Sequence, residues 1–374
     1  MEPDQEFALR EDVIHLNHAA VSPWPRRTAE AVAQFAEENA VQGSLDYPKW
    51  LETEQALREQ LRALLQAESA DDIALVKNTS EGLSLVAYGL DWRAGENVVT
   101  SDQEFPSNRI VWDSLADQGV QVRAADLARG ETPEDALLAQ VDDNTRLVAI
   151  SSVQYATGLR MDLERIGRFC REREILFCVD AIQSLGAVRV DVRAAHVDFL
   201  AADGHKWMLG PEGLGLFYVR PGLRDRLKLR QFGWHMVQEA GNFDRTDWQI
   251  AASARRFECG SPNMLGIHAL QASLSLLLDV GLDRVEAAVL ARSERLLEAF
   301  TSCADLELIT PAAPQRYAGI VTVRHRHRSE QALFDLLKDN GVFCARRGGG
   351  VRLSPHFYTP FAQLQTVIEL LGAD

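Results

Sequence analysis

The sequence predicts an α/β protein: a mostly parallel sheet with helices on both faces, followed by a smaller C-terminal α+β domain. Three observations point there. Between residues 73 and 219, short apolar runs alternate with segments of helical spacing. After Gly260-Ser261-Pro262 the pattern changes to a long helical stretch and then to mixed strands and helices. The 374 residues also exceed what one small core accommodates.

Taken in order, residues 26 to about 67 read as helical, with Leu57, Leu61, Leu64 and Leu65 at helix spacing and charged residues between them. A strand at 73–77 precedes a helix at 80–88, and a strand at 97–100 precedes a helix at 106–116. Further strands fall at 120–124, 147–151, 175–179, 199–202 and 215–219, with a helix at 162–173 beginning near Asp162. The tail reads as a helical stretch at 262–303, strand 318–324, helix 329–340, strands 342–345 and 351–353, and helix 360–371. This gives an N-terminal segment (1–25), a large α/β domain (26–260) and a small α+β domain (261–374), the boundary lying near 250–265. Buried parallel strands are joined by crossover helices, and ligands of such sheets sit at the carboxyl ends of the strands.

Composition narrows the function. The formal charge of −15 disfavours a phosphate-backbone partner, so no nucleic acid is expected. The dense basic run Arg324-His325-Arg326-His327-Arg328 reads as a solvated turn after a strand. Five cysteines (Cys170, Cys178, Cys259, Cys303 and Cys344) are scattered, without a C-x-x-C pair or metal-type spacing, so reduced thiols and no metal site are expected. The start of the chain is acidic and lacks an apolar signal core, and no apolar run approaches membrane-crossing length. The expected location is the cytoplasm, with no membrane partner.

The chemistry concentrates in VDAIQSLG and DGHKWMLGPEG. An apolar run delivers Asp180 at its end, and the run at 199–202 delivers Lys206 just past its own end. A buried carboxylate and a lysine at neighbouring strand ends suit pyridoxal 5'-phosphate (PLP). The lysine amine can form a Schiff base with the cofactor aldehyde, and the carboxylate can keep the pyridine nitrogen protonated, making the ring an electron sink. Alone, Lys206 could be a surface lysine and Asp180 a helix cap. With Gln183 placed to reach the ring hydroxyl, the catalytic reading is the stronger one. Lys77-Asn78-Thr79-Ser80-Glu81-Gly82 follows a strand and opens a helix, where free N–H groups and two hydroxyls can hold a phosphate. It also reads as plain capping. In Glu104-Phe105-Pro106-Ser107-Asn108, Phe105 can stack on a pyridine face or simply fill the core. No G-x-G-x-x-G follows an early strand, which sets aside a nicotinamide dehydrogenase.

With these motifs in order, from Leu16-Asn17-His18-Ala19-Ala20 to Ser354-Pro355-His356-Phe357-Tyr358-Thr359, the chain resembles the aminotransferase class V family of fold type I PLP enzymes over nearly its whole length. That group includes cysteine desulfurases, kynureninase-like enzymes and isopenicillin N epimerase-like proteins. The resemblance implies Lys206 as the Schiff-base lysine, Asp180 on the pyridine nitrogen and Gln183 on the ring hydroxyl. It implies Thr79, Ser80 and His205 on the phosphate, joined by Ser261 across a dimer interface, hence a homodimer with shared active sites. It implies Arg352 on the α-carboxylate of a small amino substrate, a role that suits a guanidinium fork. Arg347 or its neighbour Arg346, together with Tyr155 and His18, the last in the N-terminal segment, are expected near the substrate.

Two departures bear on the reaction. Phe105 stands where desulfurases usually place a stacking histidine, and a phenyl ring cannot shuttle a proton. Desulfurases also carry a loop cysteine shortly before the carboxylate-binding arginine; here the segment is Arg347-Gly348-Gly349-Gly350-Val351-Arg352. The sequence therefore predicts an aminotransferase acting on an α-amino acid or related amine, through Lys206. A carbon–sulfur lyase or desulfurase-like enzyme, epimerase-like racemisation, and a non-catalytic scaffold on the same fold stand as alternatives.

Overall fold

A computed structural model describes residues 5–372; residues 1–4 of the N-terminal segment and 373–374 of the C-terminal domain lie outside the described residues. In chain order the elements are β1 (Ile14–His15), α1 (Arg26–Gln42), α2 (Tyr47–Leu65), β2 (Ile73–Val76), α3 (Thr79–Gly89), β3 (Asn97–Ser101), α4 (Ser107–Asp113), β4 (Gln121–Ala125), α5 (Pro133–Leu138), β5 (Thr145–Ser151), α6 (Leu163–Glu172), β6 (Leu176–Asp180), β7 (Phe199–Asp203) and β8 (Gly215–Val219). There follow α7 (Met264–Val280), α8 (Leu282–Ser302), β9 (Leu306–Leu308), β10 (Val321–His325), α9 (Glu330–Asp339), β11 (Val342–Phe343), β12 (Ala345–Arg347), β13 (Gly350–Leu353) and α10 (Phe361–Leu370).

The large sheet has the order β2-β8-β7-β6-β5-β3-β4. Its five strands from β7 to β4 are parallel, while β8 runs antiparallel to both β7 and β2. Both faces are covered, as near-continuous apolar strands require. Along β6, Phe177 and Val179 enter one core, with α2 and α7, while Leu176 and Cys178 enter the other, with α3 and α4. The C-terminal sheet, β12-β13-β10-β9, is antiparallel and packs with α8, α9 and α10 around a third core.

Two expected helical stretches are each two helices. The first divides between α1 and α2. The second bends by 84° between α7 and α8 at Gly281. The expected 260/261 boundary falls just ahead of α7, and α7 packs against α1 and α2. Among the described residues no single helix is long and apolar enough to cross a membrane.

Residues 14–22 form a seam between the two halves. β1 pairs with β11 in parallel, and Asn17 bridges Ser354. Ala19 N donates to Ser354 Oγ (3.0 Å), Ser22 N to the carbonyl of His205 (2.9 Å) and Ser22 Oγ to the carbonyl of Lys206 (2.6 Å). The seam brings Ala19, Ala20 and Val21 over the carboxyl ends of the parallel strands.

Candidate active site

β6 ends on Asp180 and β7 on Asp203, and the chain then turns through Gly204-His205-Lys206-Trp207. The turn is held by close packing. Gly186, of the VDAIQSLG segment, has φ +94°, and a Cβ there would lie 2.2 Å from the carbonyl oxygen of Trp207. The Trp207 indole is fully buried against Gly319 and donates to Gln183 Oε1 (2.9 Å). Gln183 Nε2 donates to the carbonyl of Ala19 (3.1 Å). Its amide is thus fixed, with one further N–H hydrogen available.

These elements enclose a cavity of about 250 Å³. Thr79, Ser80, Phe105, Tyr155, Asp180, Gln183, His205, Lys206, Arg347 and Arg352 all line it, although they come from six separated stretches of sequence. The floor carries Lys206 and Asp180, both buried. Burial pushes the Lys206 amine down to about 8; Asp180 opposes this, and Arg352 and Arg347 add to it. Burial pushes the Asp180 carboxyl up to about 7, against a hydrogen bond from Ile182 N (3.0 Å) and with the help of the Glu104 charge. The Phe105 ring centre lies 5.5 Å from Lys206 Nζ, and Tyr155 meets Phe105 edge to face at 5.1 Å. Arg352 Nη1 donates to the carbonyl of Tyr155 (2.8 Å). Burial, then the nearby Arg347, lowers the Arg352 guanidinium to about 10.

The donor set fits PLP. Asn78 caps α3 by accepting from Glu81 N (2.9 Å), which directs the first turn of the helix, with Thr79 and Ser80, into the cavity. An anion is favoured at such a terminus. Thr79 Oγ1 is buried without a partner, and so is Arg352 Nε. His205 Nδ1 lies 3.1 Å from Asp203 Oδ1, but neither atom makes an aligned hydrogen bond. Thr79, Ser80 and His205 would hold the phosphate, Gln183 the ring hydroxyl, Asp180 the pyridine nitrogen and Lys206 the aldehyde carbon. Bound there, the cofactor supplies an electron sink for breaking bonds to the substrate Cα.

His18 lies elsewhere, and Ser261, expected to act across a dimer interface, does not line this chain's own cavity. The ring of His18 is fully buried behind the seam and does not line the cavity. Its Nδ1 donates to the carbonyl of Ser354 (2.7 Å), so its Nε2 accepts from the Tyr358 hydroxyl (2.6 Å). Both ring nitrogens are spent on joining residues 14–22 to 354–358, and no nitrogen is left for a substrate. Ser261 opens onto a separate hollow with Lys77, Glu81 and Gly213. The cavity also takes in Asn78, Ser107, Ile182 and Asp203. Ser107 Oγ accepts from Ser80 Oγ (2.8 Å); all four belong to the motif segments around Thr79, Phe105, Asp180 and Lys206, but no sequence signal sets them apart within those segments. Away from the cavity, Glu54, His235 and Glu258 cluster in the interior, and Arg58 is inserted between the two carboxylates at 2.5 and 2.7 Å.

The family model for aminotransferase class V matches residues 14–364. A probable cysteine desulfurase of Methanothermobacter thermautotrophicus is 29% identical over 389 residues, covering 98% of this chain and 96% of its own. An uncharacterized aminotransferase of Bacillus subtilis is 32% identical over 324 residues, 86% of this chain and 84% of its own. Among solved structures, a C-DES mutant with glycine covalently linked to the PLP cofactor superimposes with a TM-score of 0.90 at 21% identity, covering all of both chains. The cystine C–S lyase C-DES with its product cysteine persulfide gives 0.89 at 22% identity, covering 97% of this chain and 98% of that one. These last two likenesses establish the fold, a type I PLP-enzyme architecture. The chain belongs to the aminotransferase class V family, the PLP enzymes whose cofactor this cavity fits.

Proposed function

We propose that the protein is a carbon–sulfur lyase that eliminates sulfur from Cβ of a small amino acid and releases it as a free small molecule. The sequence expectation put transamination first. Names among the relatives move the balance to sulfur chemistry: besides the desulfurase above, a cysteine desulfurase of Salmonella typhimurium is 30% identical over 314 residues, 83% of this chain.

One observation carries the choice of lyase over persulfide-forming desulfurase: none of the described residues lining the cavity is a cysteine. β12 and β13 are joined by Gly348-Gly349 alone, both at positive φ (62° and 81°), the two-residue hairpin that only such residues make without strain. This hairpin extends no arm over the rim to carry a thiol. Cys344, the nearest in sequence, is buried in the C-terminal core, and burial pushes its thiol up to about 12.

In this reading Arg352 grips the α-carboxylate, and Arg347, exposed at the rim, adds a second positive charge. Lys206, with its lowered affinity for a proton, removes the Cα proton as general base. The Phe105 and Tyr155 rings form one apolar wall of the cavity. The Cα–H and Cβ–S bonds break, and no electrons are gained or lost overall. Cystine plus water becomes pyruvate, ammonia and cysteine persulfide; cysteine plus water becomes pyruvate, ammonia and sulfide. Ser261 in this reading serves the phosphate of a second copy of the chain, in a homodimer.

The test is product analysis with cysteine, cystine and alanine, combined with mass spectrometry of the protein during turnover. Pyruvate and free sulfide or persulfide in equal amounts are expected. Alanine released together with a persulfide on a protein cysteine overturns the proposal in favour of a desulfurase. Amino transfer that depends on added keto acid overturns it in favour of an aminotransferase.

A further inference from the structure

β3 and β5 are neighbours, but the chain builds β4 on one side of β3 and β5 on the other. The connections therefore part above their carboxyl ends, and open α/β sheets bind ligands in such crevices. Here the side of the crevice is filled by Glu104, three residues past the end of β3 and buried. Its Oε1 accepts from Ser101 Oγ (2.9 Å), Ser151 N (3.0 Å) and Gln154 Nε2 (2.9 Å). Its Oε2 accepts from Asn108 Nδ2 (2.8 Å) and Ser151 Oγ (2.5 Å). Asn108 is itself fixed, because its Oδ1 accepts from the Trp112 indole (2.9 Å). Five donors converge on one side chain, and a carboxylate, which offers acceptors alone, is the group that satisfies them all.

The spokes run to the end of β3, the end of β5, the loop after β5 and the first turn of α4. Each of the last residues before the cavity's aromatic wall is involved. Glu104 immediately precedes Phe105, and Gln154 immediately precedes Tyr155. Those two rings touch each other, Phe105 faces Lys206 Nζ, and the carbonyl of Tyr155 holds Arg352. Ser151 is also the register partner of Asp180.

We propose that Glu104 is a positioning residue. It sets the Phe105–Tyr155 wall opposite Lys206, and thereby the surface that would orient a bound cofactor ring. The inference rests on the PLP assignment of the cavity and is independent of which bond the enzyme breaks.

The experiment uses the cofactor-loaded protein. Glu104→Gln keeps the shape but turns one acceptor into a donor facing Asn108 Nδ2. At equal cofactor occupancy, the circular dichroism of the visible cofactor band is expected to fall about threefold or more, since it reports ring orientation. kcat is expected to fall about tenfold to a hundredfold with KM changed less than about threefold, the range for a small misplacement of reacting groups. Ser151→Ala removes one side-chain spoke and should give a smaller change in the same direction; it carries the test, with Asn108→Ala, if the Gln variant does not fold. Wild-type dichroism in the Gln variant overturns the proposal, as does wild-type dichroism in both substitutes. A lower melting temperature with an unchanged band also overturns it, because Glu104 would then be a stabilising residue only. If the unmodified protein itself forms no visible band, the cofactor reading has failed instead, so the two failures are distinguishable.

Discussion

Removing the cofactor turns Lys206 into a titrating group whose behaviour the structure specifies. Burial lowers its affinity for a proton to about 8, Arg352 and Arg347 act in the same sense, and Asp180 and Asp203 oppose them. At pH 7 an amine with that value is neutral about 9% of the time, whereas an ordinary lysine is neutral about 0.03% of the time, a ratio of about 300. The neutral amine is the species that attacks an aldehyde. The assay mixes apoprotein with excess PLP in a stopped-flow spectrophotometer and follows the Schiff-base band across a pH series. The rate of capture is expected to rise about tenfold per pH unit and to flatten near pH 8. Arg352→Ala, which removes a nearby positive charge, should move the flattening to higher pH. Asp180→Asn, which removes a nearby negative charge, should move it to lower pH. A rate that keeps rising through about pH 10, as for a solvated lysine, refutes the reasoning. So does an Arg352→Ala shift of the opposite sign.

Asp180 gives a stability prediction for the apoprotein. Its carboxyl binds a proton more tightly in the folded chain, at about 7, than in the unfolded chain, so the unfolded state ionises first. Stability present at low pH is therefore lost as pH rises from the ordinary carboxylate value through about 7. Apo Asp180→Asn should melt above the wild type at about pH 8, with the gap closing near about pH 4; a gap that does not change with pH contradicts this. At Gly319 a Cβ would lie 2.2 Å from the Trp207 ring, which is fully buried and tied to Gln183. Gly319→Ala should cost about 1–3 kcal/mol by urea unfolding and weaken cofactor retention, and an unchanged midpoint would show that the indole yields freely.

The central residues were legible because their chemistry is local. Asp180, Gln183 and Lys206 lie in short segments where an apolar run ends abruptly in polar groups, and strand ends are where such sheets work. The antiparallel course of β8 was not legible, since a buried strand reads the same in either direction. Gly281 sits inside an unbroken helical periodicity, so the bend between α7 and α8 left no mark. α5 and β9 span only six and three residues, too few for a period to show. His18 illustrates a deeper limit. Nothing near Leu16-Asn17-His18 reveals that a carbonyl and a phenol far along the chain turn its ring inward. Glu104 directly precedes Phe105, yet a lone glutamate carries no pattern; only the convergence of five donors from four elements gives it meaning.

The seam between residues 14–22 and 342–358 also orders events in time. His18 takes its place only against Ser354 and Tyr358, which follow it by 336 and 340 residues. A chain emerging from the ribosome has every strand of the large sheet long before it has the latch that closes over Lys206. The cavity around Lys206, with Arg347 and Arg352 in its lining, is therefore complete only once the C-terminal part of the chain has been made.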